Sequence, residues 1–156
     1  MSIFRNILFP VDFSDRCGQM ARYVASIARQ FDGRVTLIHA LGDYESLYTQ
    51  DAPAPDAWLA SLREAAASKL QTFGSPCLDD FVVARQVADG LPAAVIADYA
   101  AGNGIDLITM PTHGRGIFRR FLLGSVTAQV LHDSDIPVRL TGTTISTGSA
   151  TTSTTR

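Results

Sequence analysis

The sequence predicts an α/β fold, a doubly wound parallel sheet of five strands with helices on both faces. Three observations predict it. Short branched apolar runs alternate with longer stretches of helical periodicity, in the order βαβαβαβ, loop, αβ. The strand candidates are near-continuous apolar runs, as strands buried on both faces are, rather than alternating ones. Finally, 156 residues with 46% apolar and 18% charged side chains can build one self-sufficient core.

Ile3 to Phe9 is the first strand candidate, stopped by Pro10. Ser14 and Asp15 offer an N-cap and a first-turn negative charge. Met20, Val24, Ile27, Ala28 and Phe31 then recur at helical spacing. Asp32-Gly33 closes that helix, with the glycine suited to a left-handed cap. Val35 to His39 is the second strand. Asp43 to Pro55 is a polar loop, and Asp56 caps a helix with Leu59, Leu62, Ala66, Leu70 and Phe73 on one face. Ser75-Pro76 breaks it, and Phe81 to Val87 is the third strand. Pro92 fits the first turn of a helix whose buried stripe is Val95, Ile96, Tyr99 and Ala100. Gly102-Asn103-Gly104 ends that helix. Ile105 to Met110 is the fourth strand, a helix follows from about Ser125 to His132, and Ile136 to Leu140 is the last strand. Trp58 and Phe73 read as core. Residues 142–156 are rich in Thr and Ser with almost nothing to bury, and read as a flexible tail beyond a domain of residues 1–141.

Composition narrows the function classes. A net charge of −2 argues against a general nucleic-acid or anionic-membrane surface. No apolar run approaches the ~18 residues of a membrane span. Met1 to Asp15 carries Arg5 and Asp12 within its apolar stretch and has no small-residue cleavage site, so it does not read as a signal peptide. The two cysteines, Cys17 and Cys77, form no CxxC pair, and a reducing cytoplasmic setting is the expectation.

Ligands of an open parallel sheet bind beyond the carboxyl ends of its strands, where the strand order reverses. Two unusual segments fall at such ends. One is Pro10-Val11-Asp12-Phe13-Ser14; the other is Thr109-Met110-Pro111-Thr112-His113-Gly114-Arg115-Gly116. If the first and fourth strands are neighbours, both segments face one crevice. Gly114 and Gly116 let the backbone turn and expose N–H groups. Gly124-Ser125 opens a helix whose first amides are unpaired and whose dipole end is positive, and Ser125 and Thr127 add hydroxyls. Together these suit phosphate oxygens. Arg115, Arg119 and Arg120 lie between the two halves. Asp12 suits a ribose or a Mg²⁺, and equally a turn residue preceding the Ser14 cap. His113 reads as ordering its loop rather than as a base, and His39 as structural. Cys17 reads as a small buried apolar residue. No P-loop, dinucleotide fingerprint, zinc spacing or nucleophile elbow is present.

These residues resemble the universal stress protein family. The resemblance rests on Ile7 to Ser14, on Val35 to Ala40, and on the block from Asp106 to Val138, and it spans roughly residues 2 to 141. Nucleotide-binding members carry G-x2-G-x9-G-[ST]; here Gly114, nine intervening residues and Gly124-Ser125 match its second part. The resemblance implies strand order 3-2-1-4-5. It implies ATP with adenine near Val11 and Ala40, and the ribose near Asp12 and the loop after Met110. The phosphates would lie on Gly114, Arg115, Gly124, Ser125 and Val126, with Thr127 adjacent. It also implies a homodimer through Ile136 to Leu140, and a nucleotide-dependent regulator with weak or absent turnover. Two residues depart from the pattern: Pro111 replaces the motif's first glycine, and Arg139 stands where the family is usually apolar. An edge arginine either discourages strand pairing or bridges a dimer. The alternatives are a nucleotide-independent dimeric interaction module and a slow ATPase using Asp12 or His113.

Overall fold

The computed structural model describes residues 3–44, 55–112 and 123–141. Five parallel strands form one sheet in the order β3-β2-β1-β4-β5. In chain order the elements are β1 (Asn6–Pro10), α1 (Asp15–Phe31), β2 (Arg34–Ala40), α2 (Asp56–Thr72), β3 (Val82–Ala88), α3 (Pro92–Gly102), β4 (Leu107–Pro111), α4 (Ser125–Asp133) and β5 (Val138–Thr141). The tail of residues 142–156 and most of the Asp43–Pro55 loop lie outside the described residues.

The sheet is the shared wall of two cores. Ile7, Phe9, Val35 and Leu37 pack on one face against Val24, Ala28 and Leu70 of α1 and α2. Leu8, Ile38, Ile108 and Met110 pack on the other against Ile96, Ala100 and Val130 of α3 and α4. Successive side chains of β1 thus enter different cores, which is why the strand is apolar at every position from Ile7 onward.

The first strand starts later than its apolar run suggests. Ile3 is 74% exposed, and pairing begins at Asn6, opposite Arg34. Asp106 fixes this start: its Oδ2 accepts from the amides of Arg5 (3.1 Å) and Asn6 (2.9 Å). Asn6 adds a side-chain bond to the Gly104 carbonyl at 3.1 Å. Trp58, read as core, instead lies on the surface, edge-on to Tyr44 with ring centroids 5.5 Å apart. Phe73 is half-buried and packs on the first core.

The edge strand β3 carries a bulge. Val35 pairs with Val82 and Thr36 with Ala84, so Val83 is the extra residue and stands 62% exposed. A bulge at an edge kinks the strand and blunts its use as a template for another chain.

The end of α1 departs from expectation in an instructive way. Asp32, not Gly33, takes the left-handed cap, at φ 51° and ψ 44°. Gly33 is needed for closeness: a Cβ there would lie 3.1 Å from the Phe4 carbonyl oxygen and 3.3 Å from that of Arg5. Those oxygens belong to backbone entering β1 and have little room to give. Gly33→Ala is expected to cost about 1–3 kcal/mol by overpacking, read as a lower urea midpoint with an unchanged slope.

Candidate functional site

The pairing of β1 with β4 covers only Ile7↔Leu107 and Leu8↔Ile108. Beyond it each strand follows its outer neighbour. β1 stays with β2 as far as Pro10↔Ile38, and the Val11 amide donates to the Ile38 carbonyl at 2.8 Å. β4 stays with β5 as far as Pro111↔Thr141, and the Thr112 amide donates to the Thr141 carbonyl at 3.2 Å. A crevice opens between the two at the reversal of strand order, where ligands of such sheets bind. The sequence-predicted juxtaposition is therefore present for Pro10 to Ser14 and for Thr109 to Thr112, the described part of the second segment.

One wall is the turn after β1. Asp12 Oδ1 accepts from the Ser14 amide at 2.9 Å and from Ser14 Oγ at 2.6 Å. Ser14 Oγ in turn accepts from the Cys17 amide at 3.2 Å, capping α1. Such a cap contributes ~1 kcal/mol. The turn reading of Asp12 is thus present in the structure. One carboxylate oxygen, Oδ1, is spent on the turn. Val11 is buried with both main-chain polar groups engaged, since its carbonyl receives His39 Nδ1 at 2.6 Å. It offers a ligand apolar surface. The Pro10 carbonyl is met by Cys17 Sγ at 3.6 Å. Ala40 is half-buried at the end of β2.

Phe13 carries the turn through φ 58°, a left-handed backbone that costs a side-chain-bearing residue roughly 1–2 kcal/mol. Its ring is held by His39 (centroids 4.5 Å apart) and Phe73 (6.1 Å), with Lys69 Nζ 5.8 Å from its centroid. An Asp-x-Ser spacing is a signal for this turn. Nothing in the sequence announces the bond from His39.

The other wall is the junction of β4 and α4. The Gly124 amide donates to the Thr112 carbonyl at 2.8 Å, which brings the two ends of the intervening segment together. Gly124 is the N-cap of α4, and among the described residues no side chain caps the helix. The first-turn amides of Ser125, Val126 and Thr127 therefore form an open, positive helix end. Ser125 is exposed, Val126 half-buried, and Met110 and Thr127 are buried. Thr127 differs from its predicted role as a donor to phosphate. Its Oγ1 donates to the Pro111 carbonyl at 3.1 Å and locks α4 onto β4. His113, Gly114 and Arg115 lie outside the described residues, as do Gly116, Arg119 and Arg120.

Pro111 has a definite place in this geometry. The amides of Ile108 and Thr112 both point to β5, onto the Pro137 and Thr141 carbonyls. By strand alternation, position 111 presents its amide side to β1, beyond the point where that pairing ends. Any other residue would aim an N–H into the crevice there, and proline has none.

A five-stranded parallel sheet whose strand order reverses between β1 and β4, with helices on both faces, is a doubly wound α/β domain. The model of the universal stress protein family matches residues 3–141. The chain belongs to that family. It is 30% identical over 141 residues to Universal stress protein MJ0531 of Methanocaldococcus jannaschii, covering 88% of this chain and 81% of that one. The solved structure of MJ0577, from the same organism, superposes with a TM-score of 0.76 at 26% identity, covering 92% of this chain and 99% of that one. A universal stress protein of Archaeoglobus fulgidus, solved in complex with dAMP, shares the fold with a TM-score of 0.56 at 20% identity, covering 88% and 98%.

The site also fixes the state of Cys17. Burial, with the Asp12 carboxylate nearby, pushes its thiol from 9.0 up to about 12. The folded protein thus favours the neutral thiol. The resulting stability is complete below pH 9 and is lost as pH rises toward 12. Above pH 9 the wild-type chain is expected to lose stability faster than Cys17→Ala, by up to about 1.4 kcal/mol per pH unit. Denaturant titrations of both proteins at several pH values check this.

Proposed function

We propose that this chain binds an adenine nucleotide, ATP, across the crevice between β1 and β4, and that it acts as a nucleotide-dependent regulator in stress response. The observation that carries this reading is the glycine-capped N-terminus of α4. Its open amides are tied to the end of β4 through the Gly124–Thr112 bond, on the same crevice as the Asp12 carboxylate. An uncapped helix end favours phosphate oxygens, and a fixed carboxylate favours ribose hydroxyls. The adenine would rest against the apolar ends of β1 and β2, at Val11 and Ala40. Gly124, Ser125 and Val126 would take the phosphates, together with Gly114 and Arg115 of the motif. The dAMP complex of the Archaeoglobus relative supports an adenine nucleotide as the ligand class.

Among the described residues no three His, Cys, Asp or Glu side chains gather to hold a metal. A Mg²⁺ would therefore arrive on the phosphates, with Asp12 as its protein ligand. The edge strand β5 would join two copies. Arg139 does not obstruct this edge: its Nε donates to Tyr23 Oη at 2.6 Å and its guanidinium lies 5.3 Å from that ring, folded back over α1.

A second reading, a nucleotide-independent dimeric module, draws on Pro111 and the donor it removes from the crevice. Protein purified without heating or dialysis against chelator separates the two. Retained adenine nucleotide, or calorimetric binding of Mg-ATP below millimolar concentration, supports the first; neither, at millimolar Mg-ATP, supports the second. Gly124→Val is expected to abolish binding while far-ultraviolet circular dichroism stays native, because the cap residue has φ −61° and β-branched side chains accept that backbone. Pro111→Gly restores the missing N–H and is expected to tighten Mg-ATP by about tenfold, ~1.4 kcal/mol; unchanged affinity would show that this position meets no ligand atom.

A further inference from the structure

We propose that His39 and Phe13 are positioning residues that clasp the turn after β1 and hold the Asp12 carboxylate in the orientation the ligand meets. The proposal rests on the nucleotide reading of this crevice and adds residues that act without touching the ligand.

The carbonyl of Val11 can only accept, so His39 Nδ1 carries the proton in their 2.6 Å bond. That bond and the Val11 amide bond to Ile38, at 2.8 Å, fix the two peptide groups on either side of the Val11 Cα. Two residues later Phe13 turns through the left-handed region and lays its ring on the same imidazole, centroids 4.5 Å apart and planes at 42°. His39 therefore grips the chain on each side of Asp12, by a hydrogen bond before it and a ring contact after it. Phe73, at 6.1 Å, and Lys69, at 5.8 Å, close the far side of the Phe13 ring.

Asp12 is left with little freedom. Its neighbours are immobilised, and its Oδ1 is bound to the Ser14 amide and hydroxyl. Oδ2 then points in one direction. Preorganisation of this kind raises affinity by removing the cost of ordering a contact on binding. A left-handed non-glycine residue beside a binding carboxylate is strain of the sort that persists when surrounding contacts over-determine it.

The test uses the full chain and two readouts. The first is hydrogen exchange of the Ser14 amide by NMR, since this N–H lies on Asp12 Oδ1. The second is Mg-ATP affinity. His39→Phe keeps a ring for Phe13 and deletes the donor; His39→Asn keeps a donor at the Nδ1 position. His39→Phe is expected to speed Ser14 exchange and to weaken Mg-ATP, each by about tenfold, the worth of one lost hydrogen bond. His39→Asn is expected to recover most of both. Phe13→Ala is expected to match His39→Phe, and replaces it should that variant fail to fold. Native Ser14 protection in both His39→Phe and Phe13→Ala overturns the clasp, as does faster exchange with unchanged affinity. If the wild-type chain takes up no nucleotide, the proposed function fails; the role of the clasp toward a ligand fails with it, and the Ser14 readout still decides whether these residues hold Asp12.

Discussion

The parting of β1 from β4 is the constraint on which the rest of this structure depends. The two strands pair over two positions and then separate, because α1 leaves toward one face of the sheet and the chain after β4 returns to the other. Separation exposes main-chain donors and acceptors that a buried sheet cannot leave unpaired. Each strand keeps its outward-facing groups paired with its outer neighbour, and the groups that face the gap are left to the crevice. The end of β1 leans on β2 through Val11, Ile38 and His39, and the end of β4 leans on β5 through Thr112 and Thr141. The gap between them is thus held open by bonds that do not cross it.

Two of the helices, α1 and α4, begin beside the crevice, and their N-termini are finished in opposite ways. That of α1 is closed: Ser14 caps it, Asp12 backs the cap, and Asp15 adds a negative charge in the first turn. That of α4 is open, with glycine at the cap and no acidic residue in its first turn. A helix end carries about half a positive charge. In α1 it is neutralised by the protein's own carboxylates; in α4 it is left to whatever arrives. The crevice is therefore polar in a directional sense. An anionic group is drawn to the α4 side, and hydroxyls or a cation to the Asp12 side. A nucleotide has that asymmetry, with phosphates at one end of a ribose.

Much of this was legible in the sequence. The strand order implied by the family resemblance is the observed order, and the alternation of apolar runs with helical stretches predicts every element. Boundaries slipped where pairing, not hydropathy, decides: Ile3 is apolar but has no strand beside it, whereas Pro111 continues β4 because β5 runs alongside. Caps were legible when local, as with Ser14. They were misread when a distant contact ruled: Gly33 looks like a cap residue, yet the Phe4 and Arg5 carbonyls require its lack of a side chain. Thr127 looked like a phosphate donor, and its hydroxyl is taken by the Pro111 carbonyl across sixteen residues of chain. Of the two readings of Asp12, the structure shows the turn residue, with Oδ1 on Ser14. His39 reads as structural from its place at a strand end, but its partner, 28 residues away, has no signal in the sequence.

Position 111 shows how a motif and its physical content separate. In the family pattern this is the first glycine, which brings both a free amide and room. Here the proline ring removes the amide, and Thr127 occupies the carbonyl. Toward the crevice the residue is silent in hydrogen bonding, though its backbone still ends β4 in register with Thr141. What the substitution leaves intact is the frame: the Thr112–Gly124 bond that seats α4, the open first turn of that helix, and the opposed Asp12. Under the proposed function, binding strength would rest on the geometry of the two walls more than on donors along the strand between them. The proline stiffens one of those walls where a glycine would loosen it.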